Sequence, residues 1–191
     1  MVTEASLSHL LLCAGSVGEW KATPAALWQE RIALIARAAQ AGGAEWATIV
    51  PTQPGTTLEV EAVRDLLRDS CGGVQYAHRM VILAEGGVTV IVDPIADGQL
   101  RIVEAAARIA PSGEVTEDRL SAAVTAPAPS EPDLVIVLGD ATTMPTSLVW
   151  ELAYAELVFL DVPWVRLDAE HLEMAINDFT RRDRRFGGID S

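Results

Sequence analysis

Short apolar runs rich in β-branched residues alternate along this chain with longer stretches whose apolar positions recur every three or four residues. Strands joined by helical crossovers give that pattern, and crossovers make a parallel sheet. Strands are expected at 7–13, 44–50, 79–84, 88–92, 133–138 and 157–160. Between them, helices are expected at 24–40, 58–69, 99–109, 148–155 and 168–185. Thr116-Glu117-Asp118 reads as a further helix start, with Thr116 as its cap. Gly86-Gly87 is a turn between two strands, and Cys71-Gly72-Gly73 closes the second helix. The proline-rich stretch Ala126-Pro127-Ala128-Pro129 is too short to link domains. The expected architecture is α/β, a central, mostly parallel sheet of about six strands flanked by helices. It forms a single domain over residues 1–191.

Charge narrows the partners. Asp and Glu number 27 against 14 Lys and Arg, a formal net charge of -13, which repels nucleic acid and anionic bilayers overall. Any anion that binds must be met by local groups. Cys13 and Cys71 lie far apart with no second cysteine or histidine at metal-ligand spacing, so reduced thiols and no metal site are expected. Leu10-Leu11-Leu12 follows Glu4 and His9 instead of a basic segment, and no apolar run reaches membrane-spanning length. No signal peptide, no transmembrane helix and a cytoplasmic location are the expectations, with membrane contact only through a partner or product.

The ordered series Pro132-Asp133-Leu134-Val135-Ile136, Trp150-Glu151-Leu152-Ala153-Tyr154-Ala155-Glu156-Leu157 and Arg184-Arg185-Phe186-Gly187-Gly188 carries a family signal. It resembles the C-terminal half of the cis-prenyltransferases, the undecaprenyl diphosphate synthase family. That resemblance implies dimers that extend an allylic diphosphate with isopentenyl diphosphate, using Mg2+. It is specific from Pro132 to Gly188 and only patterned before that.

Position by position, the residues that the family uses for chemistry are replaced. The family's first loop, Met-Asp-Gly-Asn-Gly-Arg-Trp, corresponds to Cys13-Ala14-Gly15-Ser16-Val17-Gly18-Glu19-Trp20. Ala14 stands at the essential Asp, and Glu19 replaces the Arg. Alanine cannot hold magnesium against a diphosphate, and a glutamate repels that anion. Read without the family, the loop is an ordinary strand-to-helix turn. Val50-Pro51-Thr52-Gln53-Pro54-Gly55 retains none of the polar residues of the family's Phe-Ser-x-Glu-Asn-Trp. Ile95-Ala96-Asp97-Gly98-Gln99 keeps one glycine of Asn-Tyr-Gly-Gly-Arg. After the 133–138 strand, Val137 and Thr143 occupy the two Arg positions that grip isopentenyl diphosphate, and Asp140 lies between them. Valine and threonine lack the planar, permanently charged donor fork that phosphate recognition uses. Arg79, Arg101 and Arg108 are the other arginines a relocated site could use, although Arg101 and Arg108 read as solvated charges on a helix.

The downstream frame persists. Trp150, Tyr154, Phe159 and Trp164 match the family's interface segment, although core packing is the preferred reading for Trp150 and Phe159, and an interface is compatible with it. Glu156 matches a glutamate near the family's metal-diphosphate site; a surface or capping carboxylate is the alternative. Arg185-Phe186-Gly187 fits a basic last helical turn closed by glycine. It also matches the family's Arg-x-Gly, which crosses the dimer to bind isopentenyl diphosphate in the neighbouring subunit.

A frame kept around an emptied site resembles the Nogo-B receptor type of accessory subunit. The resemblance thus implies a non-catalytic member of a heteromeric synthase, with Arg185 and Gly187 serving a catalytic partner that holds the Mg2+. The chain would have no cofactor of its own. Two alternatives stay open: a divergent prenyl or terpene diphosphate transferase with a relocated active site, and a homodimer that binds a prenyl lipid without reacting it. The short 58–69 helix further suggests that any prenyl tunnel is reduced or filled.

Overall fold

A computed structural model describes residues 7–140, 144–153 and 155–186, the last five as backbone only. Five strands run parallel: β1 (His9–Cys13), β2 (Trp46–Val50), β5 (Thr89–Val92), β6 (Leu134–Leu138) and β7 (Glu156–Leu160). Two more, β3 (Val74–Tyr76) and β4 (Arg79–Leu83), extend one edge antiparallel. The order is β3-β4-β5-β2-β1-β6-β7, so the sheet has seven strands where six were expected. The strand not foreseen is β3, which is exposed along its whole length and so carries no burial alternation to read. The β4–β5 pair meets across Gly86-Gly87 as an antiparallel hairpin.

Helices α2 (Ala25–Ala41), α3 (Thr57–Cys71) and α6 (Ala169–Phe186) pack the first sheet face, and α4 (Gly98–Ile109) and α5 (Glu117–Thr125) pair with each other beyond the other face. Three buried tryptophans anchor the first layer. Trp20 meets Trp28 edge-on at 5.5 Å between ring centroids, and Trp28 meets Trp164 at 5.2 Å. Val63, Leu67, Met80 and Ile82 fill the space between α3 and the sheet. Helix α3 is longer than the expected 58–69, so the short helix that suggested a reduced or filled tunnel is not there.

Two local departures have physical causes. A short helix, α1 (Val17–Ala22), follows β1 because Ser16 and Glu19 form a reciprocal capping box at its start. The expected 148–155 helix is only a 3-10 turn, Glu151–Ala153. Its backbone hydrogen bonds span three residues, from Leu148 N–H to Pro145 O at 3.1 Å and from Ala153 N–H to Trp150 O at 3.3 Å, and Arg101 Nη2 donates to the neighbouring Ser147 carbonyl. Arg101 is therefore not the solvated charge expected of it: only 3% of it is exposed. Arg108 stays at the surface but donates to Ala123 O, tying α4 to α5.

Candidate functional site

Strand order reverses direction between β1 and β6, and open α/β sheets bind ligands at the carboxyl ends of strands beside such a reversal. A cleft of about 570 Å³ lies there. Gly15 and Glu19 after β1, Thr52 to Pro54 after β2, Val137 to Asp140 at the end of β6, and Val162 to Trp164 after β7 line it, with Met144 to Thr146 on one wall. Gly15 turns the chain at φ +65°, and a Cβ there would press within 3.2 Å of both Trp164 Cβ and Trp20 Nε1. Its carbonyl accepts from both the Thr52 backbone N–H at 2.7 Å and Thr52 Oγ1 at 2.9 Å, fixing the β1 and β2 exits together.

The cleft's chemistry follows from these residues. Glu19 Oε2 accepts from Ser16 N at 2.7 Å and Ser16 Oγ at 3.0 Å, so this carboxylate caps α1. Ala14 is fully buried; its carbonyl accepts from Trp20 Nε1 at 2.8 Å. Val137 is buried on β6 and lines the cleft. Among the described lining residues none is basic, while Glu19 and Asp140 are acidic. No group of three or more His, Cys, Asp or Glu able to hold a metal ion occurs among the described residues.

The other expected residues scatter. Glu156 opens β7 level with Leu134, whereas the cleft lies at the far end of β6. That places it roughly four residue rises, about 13 Å, from the cleft. Trp164 is 1% exposed inside the tryptophan cluster and presents no surface to a partner. Trp150 is half-buried and donates through Nε1 to Glu131 Oε1 at 2.7 Å. Phe159 is exposed on the edge strand. Arg185 lies in the last turn of α6. Thr143, Tyr154 and Gly187 lie outside the described residues.

Sequence reasoning missed a buried charge cluster on the second sheet face. Asp93, at the end of β5, accepts through Oδ2 from Arg79 Nε at 2.9 Å and His78 Nε2 at 3.2 Å, with Arg101 Nη1 at 3.8 Å. Its Oδ1 accepts from Ile95 N at 3.0 Å. Arg101 Nη2 donates to Glu151 Oε1 at 3.0 Å, and Arg79 donates to Val124 O and Ala126 O. Burial alone would push the Asp93 carboxyl up. The His78 hydrogen bond and the Arg79 and Arg101 charges outweigh that, holding it well below the usual carboxylate range. The cluster joins β4, β5, α4, α5 and the 147–151 segment. Gly98 completes the joint: a Cβ there would lie 2.9 Å from Ser147 O and 2.8 Å from Val149 Cγ2. A charge terminating an apolar strand was the only sequence signal, and it does not name its partners.

Cys13 faces this layer beside Ser147 Oγ at 3.4 Å. Burial pushes its thiol up to about 12, against the Ser147 hydrogen bond and the Arg101 charge. Cys71 is only half-buried. Iodoacetamide at about pH 8 is expected to alkylate Cys71 while Cys13 stays unmodified, as peptide mass spectrometry would read; equal labelling would contradict the buried placement.

A family model described as "Putative undecaprenyl diphosphate synthase" matches residues 74–187. The chain belongs to this family. It is 36% identical over 140 residues to a Lactiplantibacillus plantarum ditrans,polycis-undecaprenyl-diphosphate synthase ((2E,6E)-farnesyl-diphosphate specific), covering 68% of this chain and 49% of that protein. An isoprenyl transferase of Neisseria meningitidis is 37% identical over 103 residues, 53% of this chain and 42% of that protein. The matched stretch spans about half the length of these cis-prenyltransferase relatives or less. The fold agrees with a probable undecaprenyl diphosphate synthase from Campylobacter jejuni, with TM-score 0.61, 16% identity and coverage of 95% and 98% of the two chains. It also agrees with lavandulyl diphosphate synthase from Lavandula x intermedia in complex with dimethylallyl diphosphate, at TM-score 0.64, 14% identity and 93% and 96% coverage. No described helix is long and apolar enough to cross a membrane.

Proposed function

We propose that this cis-prenyltransferase-family chain is a non-catalytic accessory subunit of a heteromeric polyprenyl diphosphate synthase. One observation carries the reading: the cleft at the carboxyl ends of β1, β2 and β6 is lined by Glu19 and Asp140, with no basic side chain among its described residues. Catalysis on a diphosphate needs fixed positive charge or a metal aimed at the phosphate oxygens. The described residues that line this cleft supply no positive charge. The catalytic partner contributes the carboxylates, arginines and Mg2+, and Arg185 with the Gly187 backbone reaches its isopentenyl diphosphate.

An exposed apolar face supports the docking half of this reading. Leu100 and Val103 project outward from α4, and Val149 and Leu152 are exposed on the segment that Gly98 and Arg101 hold against that helix. An apolar surface of this kind fits a protein partner. Val103 is 62% exposed, so replacing it changes little inside the chain. Val103→Glu is expected to weaken association with a catalytic cis-prenyltransferase subunit by about tenfold or more, while its melting temperature stays near that of the unmodified chain. Titration calorimetry on the two purified subunits reads this directly, and unchanged affinity would remove this face from the account.

A further inference from the structure

The charge cluster on the second sheet face contains a half-made pairing. Arg101 and Glu151 are 3% and 4% exposed, and Arg101 Nη2 donates to Glu151 Oε1 at 3.0 Å. A guanidinium offers a fork of parallel N–H donors that a carboxylate can take with both oxygens. Here only one prong is taken. Arg101 Nε and Glu151 Oε2 are both buried and have no hydrogen-bond partner among the described residues. A buried donor and a buried acceptor left so are costly, and native proteins rarely keep them.

Both side chains line a cavity of about 20 Å³. One water needs roughly 10–15 Å³, so the space suits a single water and excludes a phosphate, a sulfate or a lipid chain. The polarity agrees with the size. Ser130 O can only accept, so His9 Nδ1 carries the proton of their 2.8 Å bond, and burial keeps the ring neutral by lowering its pKa below 6.5. His9 Nε2 then accepts from Thr48 Oγ1 at 2.8 Å, while Thr125 Oγ1 donates to Ser121 O at 3.0 Å. Thr48 and Thr125 also line the cavity, and with their protons engaged they offer it lone pairs. The occupant must accept one hydrogen bond and donate others. An anion without a proton cannot donate, and a metal cation cannot accept from Nε–H.

We infer that one water molecule is built into this cavity, accepting from Arg101 Nε and donating to Glu151 Oε2, as a fixed bridge between α4 and the 147–151 segment. A third bond, to a threonine oxygen, gives it the usual number of about three. The bridge helps hold against α4 the segment on which Val149 and Leu152 are exposed.

A crystal structure of the full chain, at a resolution that shows ordered water, is expected to place one peak within hydrogen-bond distance of both Arg101 Nε and Glu151 Oε2. A direct bond between those two atoms, an unoccupied cavity or an ion in that place would overturn the bridge. In solution, Arg101 Hε should show an Overhauser cross-peak to water with the sign of a long-lived contact, and absence of that cross-peak would overturn it as well. Val124 lines the cavity and is 3% exposed, so Val124→Ile adds one methylene to its wall. The variant should lose the cross-peak and melt at a lower temperature, because displacing the water strips both groups of their partner. In a dry cavity the same methylene would fill space and raise the melting temperature, and that result would contradict the bridge.

Discussion

Asp93→Ala is expected to cost about 3–5 kcal/mol of folding stability, the usual consequence of deleting one member of a buried charge set and leaving the rest unpaired. Asp93 is fully buried, and its Oδ2 is the shared acceptor for Arg79 Nε and His78 Nε2, with Arg101 beside it. Without it, two guanidinium groups stay beneath the sheet with no carboxylate between them. Arg101 keeps Glu151 at 3.0 Å, whereas Arg79 keeps only backbone carbonyls, so β4 and the end of α5 should loosen first. Chemical denaturation read by far-UV circular dichroism measures the loss; a change below about 1 kcal/mol would show that the cluster is not a structural keystone.

The same group sets part of the acid limb. Asp93 has a folded value held below its ordinary 3.8, so its contribution is complete above that pH and is lost as pH falls beneath it. His9 acts earlier in the descent. Burial lowers its folded value below 6.5, outweighing the Ser130 carbonyl and Asp133, so the unfolded chain takes up the proton first as pH falls. Stability should therefore begin to decline near about pH 6.5 and decline further below about pH 4. Asp93→Asn should flatten the lower step and leave the upper one in place, as melting temperature against pH would show.

Arg185→Ala is expected to leave assembly with a catalytic subunit intact and to slow the complex by about 2–4 kcal/mol in transition-state terms. The proposed role is electrostatic: a guanidinium reaching a diphosphate inside a closed site stabilises the charge developing on the leaving group. Arg185→Lys should recover only part of the rate, because lysine restores the charge without the planar donor fork. If single-turnover rates of the assembled complex were the same for all three proteins, the trans-acting arginine would be ruled out and the helix-terminal explanation preferred.

How far the sequence carried these conclusions depended on whether the relevant contacts were local. β1, β2, β5 and β6 were legible because buried parallel strands need continuous apolar runs, and Thr116 was legible because a cap acts within one helical turn: it accepts from Arg119 N. Ser16 and Glu19 offered the same kind of local signal for α1, although read against the family's diphosphate loop Glu19 looked like a lost arginine. The failures are tertiary. Nothing near residue 150 shows that Arg101, about fifty positions away in sequence, donates to the Ser147 carbonyl. Likewise, the alternation along α4 placed Arg101 among polar residues, while in space it faces Asp93 and Glu151. At the cleft, the residue types Glu19, Val137 and Asp140 were visible at once because side-chain chemistry is read position by position. The distance of Glu156 from the cleft was not, since only the parallel register of β6 and β7 reveals which end of the sheet it occupies.

The most direct test is incorporation of labelled isopentenyl diphosphate into polyprenyl product, with farnesyl diphosphate and Mg2+. It compares this chain alone, a catalytic cis-prenyltransferase subunit alone, and the two together. The accessory role predicts no product from this chain alone and clearly more product from the mixture than from the catalytic subunit by itself. Product from this chain alone would contradict it and point to a relocated active site.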